Sequence, residues 1–275
     1  MRIMTSNIWG DYFGNEVSSR EGQLYSVYKK YDPDIIGVQE VTGAWYQGEM
    51  FKNLEKDGYT IVGAFYIHPD EYTSAPGAPL HEGGNYVPMF VKRSKFKILE
   101  CGYEVLRNTP DRSKAITWAV LQDKETGKPF GAANTHFWWM ARGAEDNLLR
   151  AENAKQMAAV MKYINGKYEC PVFSFGDMNT LLGSEVFEVY GEAGIEHLLD
   201  KAEKGSTVSS HHGDPVRGED GRSHGKRTAN DKSCSIDHMV GIGEGYKVAE
   251  YCIIEDQDAL DATDHSPVFV DIELL

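Results

Sequence analysis

The segment FGDMNT, residues 175–180, begins at the last residue of an apolar run, residues 171–175, and continues with polar side chains. A short apolar run bounded by turn-forming residues predicts a buried strand. Asp177 and Asn179 are therefore expected at the edge of a sheet. Because Asp or Asn at such a position is more often part of a turn, the segment indicates a functional site only if other strands end in the same way.

Five further predicted strands carry amide, carboxylate or imidazole side chains at one end. Strands that deliver such groups to one edge are typical of an active site built on a rigid sheet. Next to Asp237, His238 is expected on the opposite face of its strand, because successive side chains alternate. The candidate site residues are Asn7, Glu40, His136, Asp177, Asn179, Asp237, Asp264 and His265.

Helix-like and strand-like segments alternate along the whole chain, and this alternation predicts the fold class. Helices are predicted at residues 18–31, 45–56 and 145–163. The strands are too many, and too far apart in the chain, for a simple doubly wound sheet. We expect two packed sheets with helices outside them. No linker-like stretch divides the chain, so one domain is expected over residues 1–275.

Two long polar segments, residues 66–85 and 203–233, interrupt the alternation. Each is open to two interpretations, a solvated loop or a segment that covers the substrate, and the sequence favours the loop. Between these segments, strands at residues 86–91 and 97–105 are predicted to pair with each other.

The charge of the chain bears on its partners and location. With 28 basic and 42 acidic residues the formal charge is −14. Such a charge repels nucleic acid, and no stripe of Lys and Arg offers a footprint for it. No apolar run approaches the roughly 20 residues that cross a bilayer. Because no signal peptide is present in the given sequence, a soluble, cytoplasmic protein is expected by default. A monomer is expected as well.

Six motifs together resemble the endonuclease/exonuclease/phosphatase superfamily, which includes pancreatic deoxyribonuclease, neutral sphingomyelinases and CCR4-type deadenylases. They occur in the family's order, and the chain looks like a compact bacterial-type member. The resemblance implies a four-layered α/β/β/α sandwich of two mainly antiparallel sheets, and metal-dependent hydrolysis of a phosphate ester. The motifs are TSNIW (5–9), DIIGVQEV (34–41), NTHF (134–137), FGDMNT (175–180), SIDHMV (235–240) and TDHSPV (263–268).

Three oxygen-bearing residues match the metal site that the resemblance implies. Glu40 resembles the family's main metal carboxylate, with Asn7 beside it, and Asp264 resembles a second carboxylate near the metal. Oxygen ligands favour Mg²⁺ or Mn²⁺ over zinc. Such a cation neutralises an anionic phosphate and assists deprotonation of water.

The other five candidate residues match catalytic groups of the family. Asp177 resembles the base that orients the attacking water, and Asn179 resembles the amide that contacts the phosphate. His265 looks like the histidine that binds the scissile phosphate, with Asp237 as its carboxylate partner. His136 resembles the histidine that donates to the phosphate or the leaving group.

The sequence departs from the family pattern at Asn85. Many members have Glu at this position, and that carboxylate orients the histidine that matches His136. An amide can hold the ring, but it cannot stabilise a positive charge as a carboxylate does. Either Glu82 takes over this role, or His136 acts as a neutral hydrogen-bond donor.

Three functions are compatible with these motifs. The favoured one is a phosphodiesterase or phosphatase that acts on a small or lipid-derived phosphate ester, because the chain is acidic and lacks a basic stripe. The alternative is a nuclease that cleaves DNA or RNA, since the family includes an acidic deoxyribonuclease. A third is a catalytically silent binding domain, against which the retained metal and phosphate residues argue.

Overall fold

Two β-sheets lie face to face at the centre of the structure, a computed structural model. It describes residues 1–63, 86–111, 113–206, 208–227 and 234–275. The described strands are β1 (Arg2–Asn7), β2 (Ile35–Gln39), β3 (Tyr59–Val62), β4 (Met89–Lys92), β5 (Phe96–Val105), β6 (Ala115–Asp123), β7 (Pro129–His136), β8 (Val172–Asp177), β9 (Glu196–His197), β10 (Ala202–Gly205), β11 (Val216–Arg217), β12 (Ser223–His224), β13 (Asp237–Ile242), β14 (Tyr246–Ile253) and β15 (Val268–Leu274). The described α-helices are α1 (Glu21–Tyr31), α2 (Gly43–Gln47), α3 (Glu49–Lys56), α4 (Ala144–Tyr168), α5 (Glu185–Glu192), α6 (Leu198–Lys201) and α7 (Gln257–Ala262).

The two sheets are mainly antiparallel. The larger sheet has the order β10-β14-β15-β1-β2-β4-β3, and the smaller one has the order β5-β6-β7-β8-β13-β9. Each contains a parallel pair near its middle, β1 with β2 in the larger sheet and β7 with β8 in the smaller one. Strands β11 and β12 form a separate antiparallel ribbon.

The predicted pairing of the strands at residues 86–91 and 97–105 is wrong. Strand β4 is hydrogen-bonded to β2 on one side and to β3 on the other. It therefore has no free edge for β5, which pairs with β6 in the smaller sheet. The short turn between β4 and β5 carries the chain from one sheet to the other.

Three apolar clusters separate four layers of helix and sheet. The cluster between the sheets includes Ile3 and Ile35 from the larger sheet and Phe130 and Phe173 from the smaller one. A second cluster packs α1, α3 and α7 against the outer face of the larger sheet. A third packs α4 and α5 against the outer face of the smaller sheet. The predicted four-layered α/β/β/α sandwich is thereby confirmed.

The sheets approach each other closely at Gly37 in β2. A Cβ atom there would lie 2.3 Å from Cε2 of Phe175 and 2.7 Å from Oδ1 of Asn134. Beside this point, Nε2 of Gln39 donates to Oδ1 of Asn134 at 2.6 Å, and Nδ2 of Asn134 donates to the carbonyl of Val38 at 2.8 Å. A buried pair of amides thus joins the two sheets.

Two predicted segments are divided differently in the structure. The predicted helix at residues 45–56 separates into α2 and α3, because Gly48 between them has an extended backbone. In the segment 203–233, the described part contains β10, which pairs with β14, and the ribbon of β11 and β12. None of the described helices is long and apolar enough to cross a bilayer.

Candidate active site

Side-chain alternation along the strands explains why the candidate residues meet. In β8, Phe173 and Phe175 lie in the core between the sheets, so Asp177, two residues further on, faces the same side. In β1, Ile3 lies in that core, and Asn7 follows at an even spacing. The candidate site is therefore the polar end of the layer between the sheets.

Three candidate residues lie side by side on the smaller sheet. His136 in β7 is in register with Asp177 in β8, which is in register with Asp237 in β13. Side chains in register on neighbouring strands lie about 5 Å apart on one face. His136 Nε2 is 3.4 Å from Asp177 Oδ2. His238 lies on the other face of β13, where its Nε2 is 2.7 Å from the carbonyl oxygen of Thr180.

The larger sheet contributes Asn7 and Glu40. Asn7 donates from Nδ2 to Glu40 Oε1 at 3.1 Å and to Asp177 Oδ2 at 3.0 Å. Glu40 follows β2 with a left-handed φ of 62°, which turns the chain at the sheet edge. Its Oε2 accepts from the backbone N–H of Gly10 at 3.0 Å. One amide group thus connects a carboxylate of the larger sheet to a carboxylate of the smaller one.

A buried imidazole–carboxylate pair lies beside Asp177. His265 Nδ1 is 2.7 Å from Asp237 Oδ2, and the same oxygen accepts from Ser210 Oγ at 2.6 Å. Burial alone would lower the pKa of His265, but the charges of Asp237, Asp264 and Asp177 raise it well above its ordinary value. These charges favour the protonated ring of His265, and its Nε2 lies 3.9 Å from Asp177 Oδ2.

Asp177 is the central carboxylate of the site. Burial, followed by the charge of Asp237, raises the pKa of Asp177 to about 7, although His265 opposes the shift. A carboxylate with a pKa near neutrality is suited to take a proton from water and release it again. Its Oδ1 accepts from the backbone N–H of Asn179 at 2.9 Å. Asn179 is held in turn by a bond from its Nδ2 to the carbonyl of Phe137 at 3.1 Å.

These groups open into one cavity of about 440 Å³. Tyr12 and Trp139 also line it, with 41% and 53% of their surfaces exposed. Asn7 and Asp237 contact the lining groups from behind. The lining residues that the sequence predicted are Glu40, His136, Asp177, Asn179, Asp264 and His265.

Glu40 and Asp264 bring two carboxylates to this cavity, and in the described part of the chain neither forms an ion pair with Lys or Arg. Asp264 Oδ2 lies 3.9 Å from His211 Nε2 and 4.0 Å from His265 Nε2. Burial and the charge of Glu40 raise the pKa of Asp264 to about 6. Two carboxylates on one cavity are oxygen donors of the kind that a divalent cation prefers. The Asn7 amide lies beside Glu40 with its nitrogen towards that carboxylate, because its Oδ1 accepts from the backbone N–H of Trp9.

Part of the segment 203–233 belongs to the site. Ser210 is fully buried, and its Oγ accepts from the backbone N–H of Asp237 at 3.0 Å. His211 lines the cavity and forms an isolated antiparallel bridge with His265. The interpretation as a solvated loop is wrong for these residues, because this pairing fixes them against the segment that precedes the last strand. Pairing between such distant residues leaves no short-range pattern in the sequence.

A buried arginine, which sequence reasoning missed, holds the backbone beside the metal-site residues. Arg20 donates from Nη1 to the carbonyl oxygens of Ile8 at 2.6 Å and Ala262 at 3.0 Å. Its Nη2 donates to the carbonyl oxygens of Trp9 and Gly10. Because the N–H of Gly10 binds the Glu40 carboxylate, Arg20 fixes the loop that orients that carboxylate.

Lys114, directly before β6, is another residue that the sequence analysis missed. It is buried, it lines the cavity, and its Nζ lies 2.9 Å from Nε2 and 3.2 Å from Nδ1 of His136. Burial, with the charges of Lys114 and His265, lowers the pKa of His136 well below its usual value, which favours the neutral ring. Asn85 and Glu82, which the sequence offers as support for the ring, lie outside the described residues.

The six motifs and the fold match a known protein family. The model of the endonuclease/exonuclease/phosphatase family matches residues 4–241. The chain belongs to this family. The resemblance read from the six motifs is thereby confirmed. Members of the endonuclease/exonuclease/phosphatase family hydrolyse phosphate esters, and divalent-metal dependence is typical of them.

Individual members of the endonuclease/exonuclease/phosphatase family are more distant. Human 2′,5′-phosphodiesterase 12 is 26% identical over 196 residues, which make up 60% of this chain and 28% of that protein. The chain spans between about a quarter and a third of the length of the curated relatives it matches.

Two solved structures of Bacteroides proteins share the fold over the whole chain. An endonuclease/exonuclease/phosphatase from Bacteroides vulgatus has a TM-score of 0.75 at 24% identity, with 100% of this chain and 98% of that chain covered. A mannosyl-6-phosphatase from Bacteroides thetaiotaomicron has a TM-score of 0.75 at 19% identity, with 100% of both chains covered. At these identities the likeness shows the fold alone.

Proposed function

We propose that this protein hydrolyses a phosphate ester, with water as the nucleophile and a divalent metal ion as cofactor. The observation that carries the proposal is the Asn7 side chain, which donates to Glu40 at 3.1 Å and to Asp177 at 3.0 Å. This amide connects the carboxylate proposed to hold the metal with the carboxylate proposed to orient the water. Family membership supports the reaction class.

Glu40 and Asp264 would hold the metal, with Asn7 beside Glu40, and carboxylate oxygens favour Mg²⁺ or Mn²⁺. When bound, such a cation supplies Lewis-acid stabilisation of the charge on the phosphate and acidifies water. The chain's own contribution is orientation. The backbone N–H of Gly10 donates to Glu40 Oε2, and the backbone N–H of Trp9 donates to Asn7 Oδ1, at 3.0 Å each.

Asp177 is proposed as the base. Its Oδ1 is occupied by the backbone N–H of Asn179, whereas Oδ2 lies among Asn7, His136 and His265. A water bound beside Oδ2 would be oriented for attack and would transfer its proton to that oxygen. The Asn179 side chain is proposed to contact the phosphate.

His265 is proposed to bind the phosphate as an imidazolium. Asp237 accepts from Nδ1 and so leaves the Nε2–H for a phosphate oxygen. A donor of this kind stabilises the transition state more than the ground state, because negative charge on the phosphoryl oxygens is redistributed during the reaction.

A small or lipid-derived phosphate ester is the favoured substrate. The cavity of about 440 Å³ accommodates a phosphate with a small attached group. Lys114 is the one Lys or Arg among its described lining residues, so the structure adds no basic track for a nucleic acid. A protein with the same fold is described as a mannosyl-6-phosphatase, which supports a phosphorylated small molecule as the substrate class. A nuclease remains the alternative function. That the protein is a cytoplasmic monomer, and that residues 1–275 form one domain, remain predictions.

A substrate panel tests the proposal. We would assay p-nitrophenyl phosphate, bis-p-nitrophenyl phosphate, sphingomyelin, oligo(A) and plasmid DNA with Mg²⁺ or Mn²⁺, and repeat each assay with EDTA. Asp177→Asn should abolish any genuine activity. Asp271→Asn should retain it, because Asp271 forms an ion pair with Arg2 and does not line the cavity. Activity that survives EDTA or Asp177→Asn would contradict the mechanism, and preferential cleavage of oligo(A) or DNA would favour the nuclease.

A further inference from the structure

Lys114 places a cation in the catalytic cavity that no motif of the family resemblance accounts for. The residue is only 5% exposed. It is the single Lys or Arg among the described residues that line the cavity, where its neighbours include His136, Asp177 and His265.

The ammonium of Lys114 lies over the face of the His136 ring. Its Nζ is 2.9 Å from Nε2 and 3.2 Å from Nδ1. The two ring nitrogens are separated by Cε1, so an atom at nearly equal distance from both cannot lie in the ring plane without a clash with Cε1. A lone pair of the imidazole lies in that plane. A neutral imidazole has one acceptor nitrogen and can therefore accept at most one hydrogen bond from Lys114. At least two of the three N–H bonds of the ammonium remain for other acceptors.

The ammonium also has no carboxylate partner within 4.0 Å among the residues that the structure describes. Burial lowers the pKa of Lys114, and the charges of Glu40, Asp111 and Asp177 oppose that shift, but none of these carboxylates forms an ion pair with the residue. A buried charge without a directly bonded partner is costly. In a cavity proposed to bind an anionic substrate, the substrate would supply the partner that the described residues do not.

We propose that Lys114 is a substrate-binding residue that donates a charge-assisted hydrogen bond to a non-bridging oxygen of the substrate phosphate. The inference rests on the proposed phosphoester hydrolysis, because it assigns a ligand to the same cavity. Lys114 would contact the phosphate from the side of the cavity where His136 lies. His265 would contact it from the side where Asp237 lies.

The position of Lys114 also bears on the role of His136. A cation at 2.9 Å disfavours a second positive charge on the imidazole, and burial acts in the same direction by lowering the pKa of His136. Of the two alternatives that the sequence left open, the neutral hydrogen-bond donor is the one that Lys114 supports. The positive charge on this side of the phosphate then comes from Lys114.

Binding of inorganic phosphate tests the inference without turnover. In the presence of Mg²⁺, calorimetry should show that Lys114→Met binds phosphate about 10- to 100-fold more weakly than the parent protein, as expected for loss of a charge-assisted bond. Lys114→Arg should retain binding within about threefold. Lys155→Met, the same exchange at an exposed lysine paired with Glu152, should change nothing.

Thermal unfolding separates binding from a structural role. Because Lys114→Met removes a buried charge and keeps the volume, its midpoint should be unchanged or higher; should this variant not fold, Lys114→Gln serves as the neutral form. A folded neutral variant with phosphate affinity within twofold of the parent would overturn the inference, as would loss of binding in Lys114→Arg equal to that in Lys114→Met. Undetectable phosphate binding by the parent at about 10 mM would overturn it as well. Activity of the parent on the substrate panel tests the proposed reaction separately.

Discussion

His265 and Asp237 form a buried pair with 2.7 Å between Nδ1 and Oδ2. Both residues are at most 5% exposed, and Ser210 donates to the same carboxylate oxygen. The pair fixes both the orientation of the imidazole and its charge, since a neighbouring carboxylate favours the protonated ring. The direction in which loss of this pair would shift the pH dependence of the rate can therefore be predicted.

Asp237→Asn should move the basic limb of the pH–rate profile to lower pH. The active form of His265 is the protonated one, so activity is present below its pKa and lost above it. Asp237 raises that pKa, and removing its charge lowers it. We also expect the rate at neutral pH to fall at least about 10-fold, as is usual when the partner of a functional histidine is lost. The measurement is kcat against pH, with Asp271→Asn as control, and an unshifted basic limb would refute the assignment.

Glu40→Gln should weaken Mg²⁺ or Mn²⁺ binding by at least about 10-fold, because the amide lacks the charge that holds the cation. Titration with Mn²⁺, followed by electron paramagnetic resonance, measures this directly. The control is Glu49→Gln, at an exposed residue paired with Lys52. Equal metal affinity in the parent and in Glu40→Gln would place the metal elsewhere.

His265→Ala should lower kcat by roughly 10² to 10³ while metal affinity changes little, because the imidazolium is proposed to act on the phosphate. The comparison requires kcat at saturating metal and a separate metal titration. His224→Ala, at an exposed histidine beside Asp220, serves as the control. A rate within twofold of the parent would show that His265 does not contact the reacting group.

Arg20→Lys should reduce stability by about 2–4 kcal/mol and weaken metal binding. Arg20 donates to carbonyl groups of residues 8–10 and to Ala262, and a single ammonium cannot reach all of them. The loop that holds Glu40 would then be less well fixed. Urea unfolding and Mn²⁺ titration report the two effects, with Arg217→Lys at an exposed ion pair as control. Unchanged metal affinity in a destabilised variant would limit Arg20 to a structural role.

The sequence was most informative where local pattern and position coincide. Apolar runs with polar ends predicted the strands that carry Asn7, Glu40, Asp177 and Asp237, and even spacing along a strand decides which face a side chain occupies. That rule also placed His238 away from the catalytic edge, where the structure has it. The family and the layered fold followed from the order of these motifs.

Residues that act through long-range packing could not be predicted. Ser210 becomes important only because its segment pairs with residues beside the last strand. Lys114 precedes an ordinary-looking strand, and only the register of β6 with β7 brings it to His136. The error in the partner of β5 has the same origin, because closeness in the chain does not show whether a turn stays within one sheet.

The glycine at position 37 controls how accurately the two halves of the site are aligned. Asn7 and Glu40 lie at the end of the larger sheet and Asp177 at the end of the smaller one, so the spacing of the two sheets bears on the distance between these groups. An added methyl at Gly37 would meet Phe175 at 2.3 Å, and Phe175 lies two residues before the base in β8. A misplacement of about 1 Å can cost about 10²-fold in rate. A side chain at position 37, remote from the cavity, would therefore be expected to lower the rate by displacing the strand that ends in Asp177.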